Sequence, residues 1–296
     1  HLAEVVHFGD QQVFAGATTY TCLLFLSKEA QPAFRFVKAH DLPAWRQGEE
    51  QVEGELRADV ASSSEWNFSV GRDTWLFDRL ADATSRLGDV ASIFVGLQTS
   101  ADKAYVLEQL DEPHDGLVSV RDTDGTSWLI EQGTLRPFLY HSTVATYEQP
   151  VSSHWLVFPY DVTTGKAVLM PQKQLTSLYP RTWSFLISKG KVLRAREGGK
   201  ADNDQWYGYL YRKNLTLFDA PKLIVQVISM FGRYAYDDKS LYFTGGGNGP
   251  YYGVRWSGSD NPHSLHYLQA LLSSKLLDLC LRRVSSPFRG GYWSYG

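Results

Sequence analysis

Apolar runs at the start of the chain predict β structure. Residues 4–8 and 18–26 are rich in β-branched and aromatic side chains, and turn-prone residues separate the two runs. The second run is almost continuously apolar, a pattern typical of a strand that is covered on both faces. Because two strands cannot bury themselves alone, we expect both to join a larger sheet. Residues 40–70 are polar and acidic and are interpreted as a linker.

Helical spacing of apolar positions predicts two clear helices. One covers residues 74–87, with Asp73 as its N-cap and Gly88 directly after it. The other covers residues 264–283, where leucines recur every three or four positions. Short strands are predicted at residues 90–95, 104–107, 128–130, 155–158 and 223–229. Strands and helices are segregated more than they alternate, so the predicted fold class is α+β, with mixed small sheets and flanking helices.

The composition indicates a globular chain with a large core. The 296 residues are 43% hydrophobic and include 9 Trp, 17 Tyr and 15 Phe, which excludes disorder for most of the chain. No run of about 18 apolar residues occurs, so we expect no membrane span. Cys22 and Cys280 each lie in an apolar run. We expect buried thiols in a reducing, cytoplasmic compartment, and neither a disulfide nor a metal site.

Charge is distributed unevenly although the formal net charge is only −3. Residues 41–89 contain eleven acids against five arginines, whereas residues 181–222 contain nine bases against four acids. Residues 275–289 contain four bases and one acid. This asymmetry favours one acidic flank and one basic face, although an ordinary solvated surface is an alternative.

Catalytic signatures are absent from the sequence. Residues 243–247 (FTGGG) have the glycine spacing of an S-adenosylmethionine loop, but no predicted helix follows, so a plain loop is the better interpretation. Residues 260–263 (DNPH) lack the second proline and the aromatic residue of an amino-methyltransferase motif and are interpreted as a turn. The histidines have no metal-ligand spacing, and no nucleophile elbow, phosphate loop or nuclease motif occurs. The sequence therefore predicts no catalytic centre.

Residues 183–196 combine aromatic residues with four bases, a composition suited to nucleic-acid recognition. Lysine and arginine neutralise phosphates, and arginine also forms paired hydrogen bonds with guanine. Trp206 and further tyrosines and bases follow, and a second aromatic and basic cluster closes the chain. An amphipathic helix over residues 183–193, with aromatic residues in the core and solvated lysines, is the alternative.

The order of these segments resembles the C-terminal part of TaqI-like adenine-specific DNA methyltransferases, including the fused type IIG restriction–modification enzymes. Residues 87–106 (LGDVASIFVGLQTSADKAYV) resemble the opening motif of the family's target-recognition domain. The middle and closing blocks are similar to residues 179–186 (YPRTWSFL), 193–196 (LRAR), 220–225 (APKLIV), 271–275 (LLSSK) and 286–292 (SPFRGGY). Residues 17–22 (ATTYTC) resemble the strand that ends the family's methyltransferase domain.

The resemblance implies a DNA target-recognition fragment without its catalytic half. Residues 1–40 would be the last strands of a truncated Rossmann-like methyltransferase domain, residues 41–86 an acidic linker and helix, and residues 87–296 the recognition domain. Its partners would be double-stranded DNA and the missing methyltransferase domain of the same polypeptide. No membrane is expected among its partners. The fragment would bind no cofactor; the parent would use S-adenosylmethionine, and Mg²⁺ if a nuclease is fused.

The same resemblance suggests which residues contact DNA. We expect a basic wall of Lys189, Lys191, Arg194 and Arg196, with Trp206 packed behind it. Thr99 and Lys103 in the opening motif are expected contacts on the same face, followed by Arg282, Arg283 and Arg289. Gly96, Gly290 and Gly291 are expected to serve tight turns.

Two other classes of protein fit parts of the sequence. A stand-alone specificity module, like the specificity subunit of a multi-subunit restriction system, would not need the strand pair at residues 4–26. A carbohydrate-binding domain would expose its aromatic residues on a flat platform.

Overall fold

A computed structural model describes residues 1–17, 19–62, 66, 68, 70–71, 74–141, 143–245, 249–257 and 262–295. They form two compact units: unit 1 contains residues 1–87, 228–231 and 274–296, and unit 2 contains residues 88–227 and 232–273. The helices are α1 Leu42–Arg46, α2 Thr74–Ala81, α3 Leu87–Val90, α4 Asp102–Tyr105, α5 Gln172–Leu178, α6 Pro180–Ser188, α7 Gly190–Arg194, α8 Arg196–Gly199, α9 Pro262–Leu272 and α10 Lys275–Val284. The strands are β1 Leu2–His7, β2 Cys22–Leu26, β3 Ala33–Lys38, β4 Val52–Arg57, β5 Ala91–Val95, β6 Val106–Gln109, β7 Leu117–Arg121, β8 Ser127–Glu131, β9 Leu135–Phe138, β10 His154–Val157, β11 Tyr160–Asp161, β12 Val168–Leu169, β13 Lys222–Gln226, β14 Ile228–Ser229, β15 Tyr234–Asp237, β16 Tyr251–Trp256, β17 Ser286–Phe288 and β18 Tyr292–Ser294.

The two predicted N-terminal strands join a four-stranded sheet of order β2-β1-β3-β4 in unit 1. β1 is parallel to β3, and the other two pairings are antiparallel. The expected linker at residues 40–70 is wrong, because this segment contributes α1 and β4. In β4 the apolar Leu56 packs on a core that includes Phe34 and Phe36, while Glu53 forms a 2.5 Å ion pair with the exposed Arg35. Glu53, one of the acids that suggested a linker, therefore lies on the exposed face of a strand.

Strand β2 is exposed, contrary to the prediction that it is covered on both faces. All five residues are exposed, and Leu26 retains 75% of its accessible surface. β2 lies at the edge of its sheet, and its successive side chains point to opposite faces. Its first residue, Cys22, is an exposed thiol, so the expectation of a buried thiol at this position is wrong.

The predicted helices are confirmed with different ends. The helix expected at residues 74–87 ends at Ala81, and its expected cap, Asp73, lies outside the described residues. The helix expected at residues 264–283 consists of α9 and α10. The break occurs because the hydroxyl of Ser274 accepts a 3.2 Å hydrogen bond from the backbone N–H of Leu277 and so caps a new helix.

Unit 2 contains two larger antiparallel sheets and a hairpin. The sheets have the orders β8-β7-β6-β10-β9 and β15-β13-β16-β5, and β11 pairs with β12. Most predicted short strands are present with shifted ends, but residues 104–107 are divided between α4 and β6. Small sheets with few helices fit the α+β class.

Aromatic side chains form a large part of the core of unit 2. Tyr105, Tyr160, Tyr209, Tyr242, Phe158, Phe185, Phe218 and Phe243 are all at most 1% exposed. These rings therefore cannot provide the exposed platform of a carbohydrate-binding domain. Among the described residues, no helix is both long enough and apolar enough to cross a membrane.

Candidate nucleic-acid interface

In the middle of the opening motif, at residues 96 and 97, two backbone segments of unit 2 are in direct contact. Leu97 donates a 2.9 Å hydrogen bond from its N–H to the carbonyl of Phe243, and Gly245 donates one of 3.2 Å to the carbonyl of Leu97. A Cβ at Gly96 would lie 2.4 Å from the carbonyl carbon of Thr244. Gly96 therefore permits a close backbone approach instead of the expected tight turn. Gly290 and Gly291 have positive φ, as expected of turn residues.

The same packing bears on whether the glycine-rich run at residues 243–247 could be an S-adenosylmethionine loop. A Cβ at Gly245 would lie 2.4 Å from the backbone nitrogen of Gly96 and 2.5 Å from the carbonyl oxygen of Tyr251. The described part of the run is thus occupied by protein backbone, and it does not fit an S-adenosylmethionine loop. Residues 246–248 and 258–261, which include the start of the DNPH segment, lie outside the described residues.

Thr99 organises the loop that follows Gly96. Its side chain is fully buried; the hydroxyl donates to Asp102 Oδ1 and accepts a 3.0 Å hydrogen bond from the N–H of Ala101. Ser100, at the tip, has a left-handed φ of 60°. Lys103, in the first turn after the loop, is exposed. Thr99 therefore shapes the loop from inside, whereas Lys103 is accessible to a ligand.

The loop forms one wall of an open cleft of about 900 Å³. The opposite walls come from the loop after β9, the start of β16, α7 and the segment after Tyr209. Two of the lining residues, Ser100 and His141, have left-handed backbones without being glycine. Such strained residues concentrate at binding and catalytic sites. The lining residues are Leu97, Gln98, Thr99, Ser100, Ala101, Asp102, Lys103, Ala104, Leu139, Tyr140, His141, Val192, Arg196, Tyr211, Thr244, Gly245, Gly249 and Pro250.

Arg196 is a buried connector and not part of an exposed basic wall. Its guanidinium donates to four carbonyls, those of Leu193 (2.7 Å), Thr99 (3.1 Å), Trp206 (2.5 Å) and Gly208 (3.0 Å). The residue is 7% exposed. Four of its five N–H groups thus join α7, the opening loop and the segment at residues 206–208. The expectation that Arg196 faces DNA is therefore revised.

Lys189 is also engaged inside unit 2. Its ammonium lies 2.9 Å from Asp122 Oδ2 and 2.5 Å from Asp124 Oδ2, and the residue is 8% exposed. Burial alone would raise the pKa of Asp122, but hydrogen bonds from Lys189, Trp128 and the Thr126 backbone lower that pKa on balance. Lys189 therefore stabilises the turn between β7 and β8 and is not positioned to contact a phosphate.

The remaining residues of the expected wall are accessible. Lys191 is exposed, and Arg194 is about half exposed, with its guanidinium 4.6 Å from the ring centroid of Trp206 and 2.6 Å from Asp202 Oδ1. Trp206 is 6% exposed, so it lies behind the helix as expected. The alternative of one amphipathic helix over residues 183–193 agrees only in part: Trp183 and Phe185 are buried, but the segment is divided between α6 and α7, and Lys189 is not solvated. Lys103, Lys191 and Arg194 are the accessible cations of the predicted set in unit 2.

The second predicted cluster belongs to unit 1. Arg282 donates 2.7 Å to the carbonyl of Met230 and pairs at 2.8 Å with Asp278, and Arg283 lies 4.5 Å from the ring centroid of Phe77. The side chain of Arg289 lies outside the described part of the chain. These contacts hold α10 within unit 1.

Several lining residues carry no signal in the sequence. His141 and Tyr211 belong to no motif, and their places in the cleft depend on contacts between distant segments, such as the bridge between Gln98 and Tyr211. Among the described residues, no group of three or more His, Cys, Asp or Glu side chains could hold a metal ion.

Comparison with known proteins gives one informative relationship. No protein-family model matches the chain. The chain is 26% identical, over 317 aligned residues, to the type II restriction enzyme and methyltransferase RM.Eco57I of Escherichia coli. The match covers the whole chain but 31% of the relative, so the chain spans about a third of that protein's length. The chain is therefore related along its whole length to part of a restriction–modification enzyme.

Proposed function

We propose that the chain is the DNA target-recognition part of an adenine-specific DNA methyltransferase or of a restriction–modification fusion. The observation that carries this proposal is the position of the opening motif. Residues 97–103 form one wall of the cleft and present the exposed Lys103 there. The relative is named both a restriction enzyme and a methyltransferase, which supports the same assignment. On this proposal, catalysis and S-adenosylmethionine binding belong to another part of the polypeptide.

The accessible cations would provide the electrostatic part of DNA binding. Lys103, Lys191 and Arg194 can each neutralise a phosphate, and most hydrogen bonds in protein–DNA complexes go to phosphate and sugar. Arg196 and Lys189 would act indirectly, because they hold the opening loop and the β7–β8 turn in place. Lys103 would therefore act from the wall of the cleft, and Lys191 and Arg194 from α7, one residue of which also lines the cleft.

The exposed strand β2 supports a domain partner within the same polypeptide. Its apolar residues alternate between the two faces of the sheet, and all of them are exposed. A partner that covers both faces and continues the sheet at this edge would bury them. We assign this role to the methyltransferase domain, which favours a multidomain enzyme over a stand-alone specificity module.

Lys103→Ala/Lys191→Ala is expected to weaken the binding of a random-sequence duplex and to reduce its salt dependence. Each lost phosphate contact lowers the slope of log affinity against log salt by roughly 0.9, and wild-type binding is expected at about 10⁻⁴–10⁻⁶ M at physiological salt. Fluorescence anisotropy at several salt concentrations measures both quantities.

The matched control is Lys166→Ala/Lys173→Ala, which removes two exposed lysines of unit 2 that neither line the cleft nor lie on α7. Wild-type binding that is independent of salt would contradict the proposed function. Equal losses in both double variants would show that only net charge matters and that the cleft is not the interface.

Leu24→Lys/Leu26→Lys is expected to weaken binding of the chain to its methyltransferase domain by roughly tenfold or more, since each buried leucine contributes about 1.5–3 kcal/mol. Titration of the two separately expressed parts, followed by sedimentation velocity, measures this change. Leu178→Lys/Ile187→Lys replaces two residues of unit 2 with similar exposure, 61% and 56%, and is the control. Unchanged association in the β2 variant would place the domain interface elsewhere.

A further inference from the structure

The loop between β9 and β10 is anchored firmly at its base. Val144 is 1% exposed; its N–H donates to Gln226 Oε1 at 3.3 Å, and its carbonyl accepts from Arg233 Nη1 at 3.5 Å. The hydroxyl of Thr146 accepts a 3.3 Å hydrogen bond from the N–H of Tyr234. Val144 and Thr146, which lie just before Tyr147, are thus fixed on unit 2.

Tyr147, at the tip of this loop, has an unusual conformation. Its φ is +67°, which a bulky residue rarely adopts, and the side chain is 68% exposed. A turn hydrogen bond of 3.4 Å from the N–H of Glu148 to the carbonyl of Ala145 encloses it. No hydrogen bond of the Tyr147 hydroxyl is found among the described residues. The fold therefore holds a large, mostly exposed ring on a backbone of left-handed conformation.

The loop lies beside the cleft but, unlike the wall that contains Lys103, it contains no lysine or arginine after residue 141. Leu139 lines both the cleft and a smaller cavity of about 280 Å³ that is bounded by loop residues Thr143 to Val151. Residues 142–153 contain neither lysine nor arginine. This loop cannot neutralise phosphates, so its contribution to DNA binding would come from an aromatic ring and from hydrogen-bond acceptors. Those are the groups that contact the faces and edges of bases.

We propose that Tyr147 stacks on a base that is displaced from its neighbour in the bound duplex. This inference rests on the proposed function and adds to it a residue that contacts bases. Side chains inserted at a base step unstack it and kink the duplex, and an anchored, outward-held ring is suited to this task. The left-handed backbone would direct the ring away from the body of unit 2, so that the ring reaches the base stack.

The test uses duplexes that carry 2-aminopurine at successive positions, because the fluorescence of this base rises when it is unstacked. Wild type is expected to raise the signal at one or two positions. Tyr147→Ala is expected to abolish the rise and to weaken binding roughly 5- to 150-fold, the range for one stacked base. Tyr147→Phe, which keeps the ring, retains both. Tyr267→Ala is the matched control, since Tyr267 lies on α9 with 64% exposure.

A glycine variant separates this role from a structural one. Tyr147→Gly relieves the left-handed strain, so it is expected to raise the unfolding temperature while it abolishes the fluorescence rise. Wild type that binds DNA without any rise, or an alanine variant identical to wild type, would overturn the stacking inference alone. Wild type that binds no duplex would overturn the proposed function, and the stacking inference with it. Tyr147 variants that lose association with a protein instead of DNA would also overturn the inference.

Discussion

Lys222→Met is expected to destabilise unit 2 by about 3–5 kcal/mol, because it leaves the buried carboxylate of Asp237 without its counter-ion. The Lys222 ammonium lies 2.5 Å from Asp237 Oδ2 and donates a 2.6 Å hydrogen bond to the carbonyl of Phe218. Both side chains of the ion pair are fully buried. Burial lowers the pKa of Lys222, and the attraction of Asp237 opposes this shift only in part. Urea unfolding followed by tryptophan fluorescence gives the change in free energy.

A double variant identifies the ion pair as the cause. Lys222→Met/Asp237→Asn removes both charges and leaves one oxygen at residue 237. That oxygen can replace either Oδ1, which accepts from the N–H of Lys239 at 2.9 Å, or Oδ2, which accepts from the N–H of Leu241 at 3.0 Å. We expect a loss smaller than the sum of the single losses by about 0.5–3 kcal/mol. Lys239→Met, at an exposed lysine, should change stability by less than about 0.5 kcal/mol. Additive single losses would mean that the two charges are not coupled.

Arg196→Met is expected to destabilise unit 2 by about 3–5 kcal/mol and to abolish DNA binding under conditions where the variant remains folded. The substitution removes the guanidinium donor from four carbonyls, including that of Thr99 in the opening loop. The carbonyl of Gly208 keeps a second donor, the Tyr105 hydroxyl at 3.1 Å. Arg196→Lys should rescue little, since an ammonium cannot reproduce the planar fork. Unfolding in urea and anisotropy titrations on the same samples measure both effects.

Arg194→Ala is the informative contrast to Arg196→Met. Its ion pair with Asp202 is exposed, so its removal should cost at most about 1 kcal/mol while it weakens DNA binding. If Arg196→Met were as stable as Arg194→Ala, the buried connector would contribute little to the fold. A change of Arg194 and Arg196 together could not separate loss of contact from loss of structure.

The elements that the sequence predicted well are those with local signals. Runs of β-branched and aromatic residues located the N-terminal strands. Helical spacing of apolar residues located α2 and the pair α9 and α10. The break at Ser274 was missed because the leucine spacing continues through it. The serine that caps α10 therefore looked like one more residue of a single helix. Strand β4 was mistaken for a linker because its exposed face is acidic and few of its residues are apolar.

The candidate site was predicted only in part, for a different reason. The sequence located the basic segment and the opening motif, but residue type does not reveal which cations are buried. Lys189 and Lys191 are two residues apart in the chain, yet one pairs with Asp122 and the other is exposed. The difference arises from the β7–β8 turn, which lies more than 60 residues away along the chain. Tyr147 had no signal at all, since only the backbone angle distinguishes it from other tyrosines.

The order of segments in unit 1 determines when this unit can be completed during synthesis. Its first sheet needs no residue after 57, so this sheet can form before the ribosome has translated unit 2, which begins at residue 88. The sheet of order β14-β18-β17 needs residues 292–294, which are made only after all the residues of unit 2. Strand β14 therefore waits without a partner while the residues of unit 2 that follow it, 232–273, are made. A premature stop just before β17 would leave unit 2 encoded in full and deprive β14 of the strand with which it pairs.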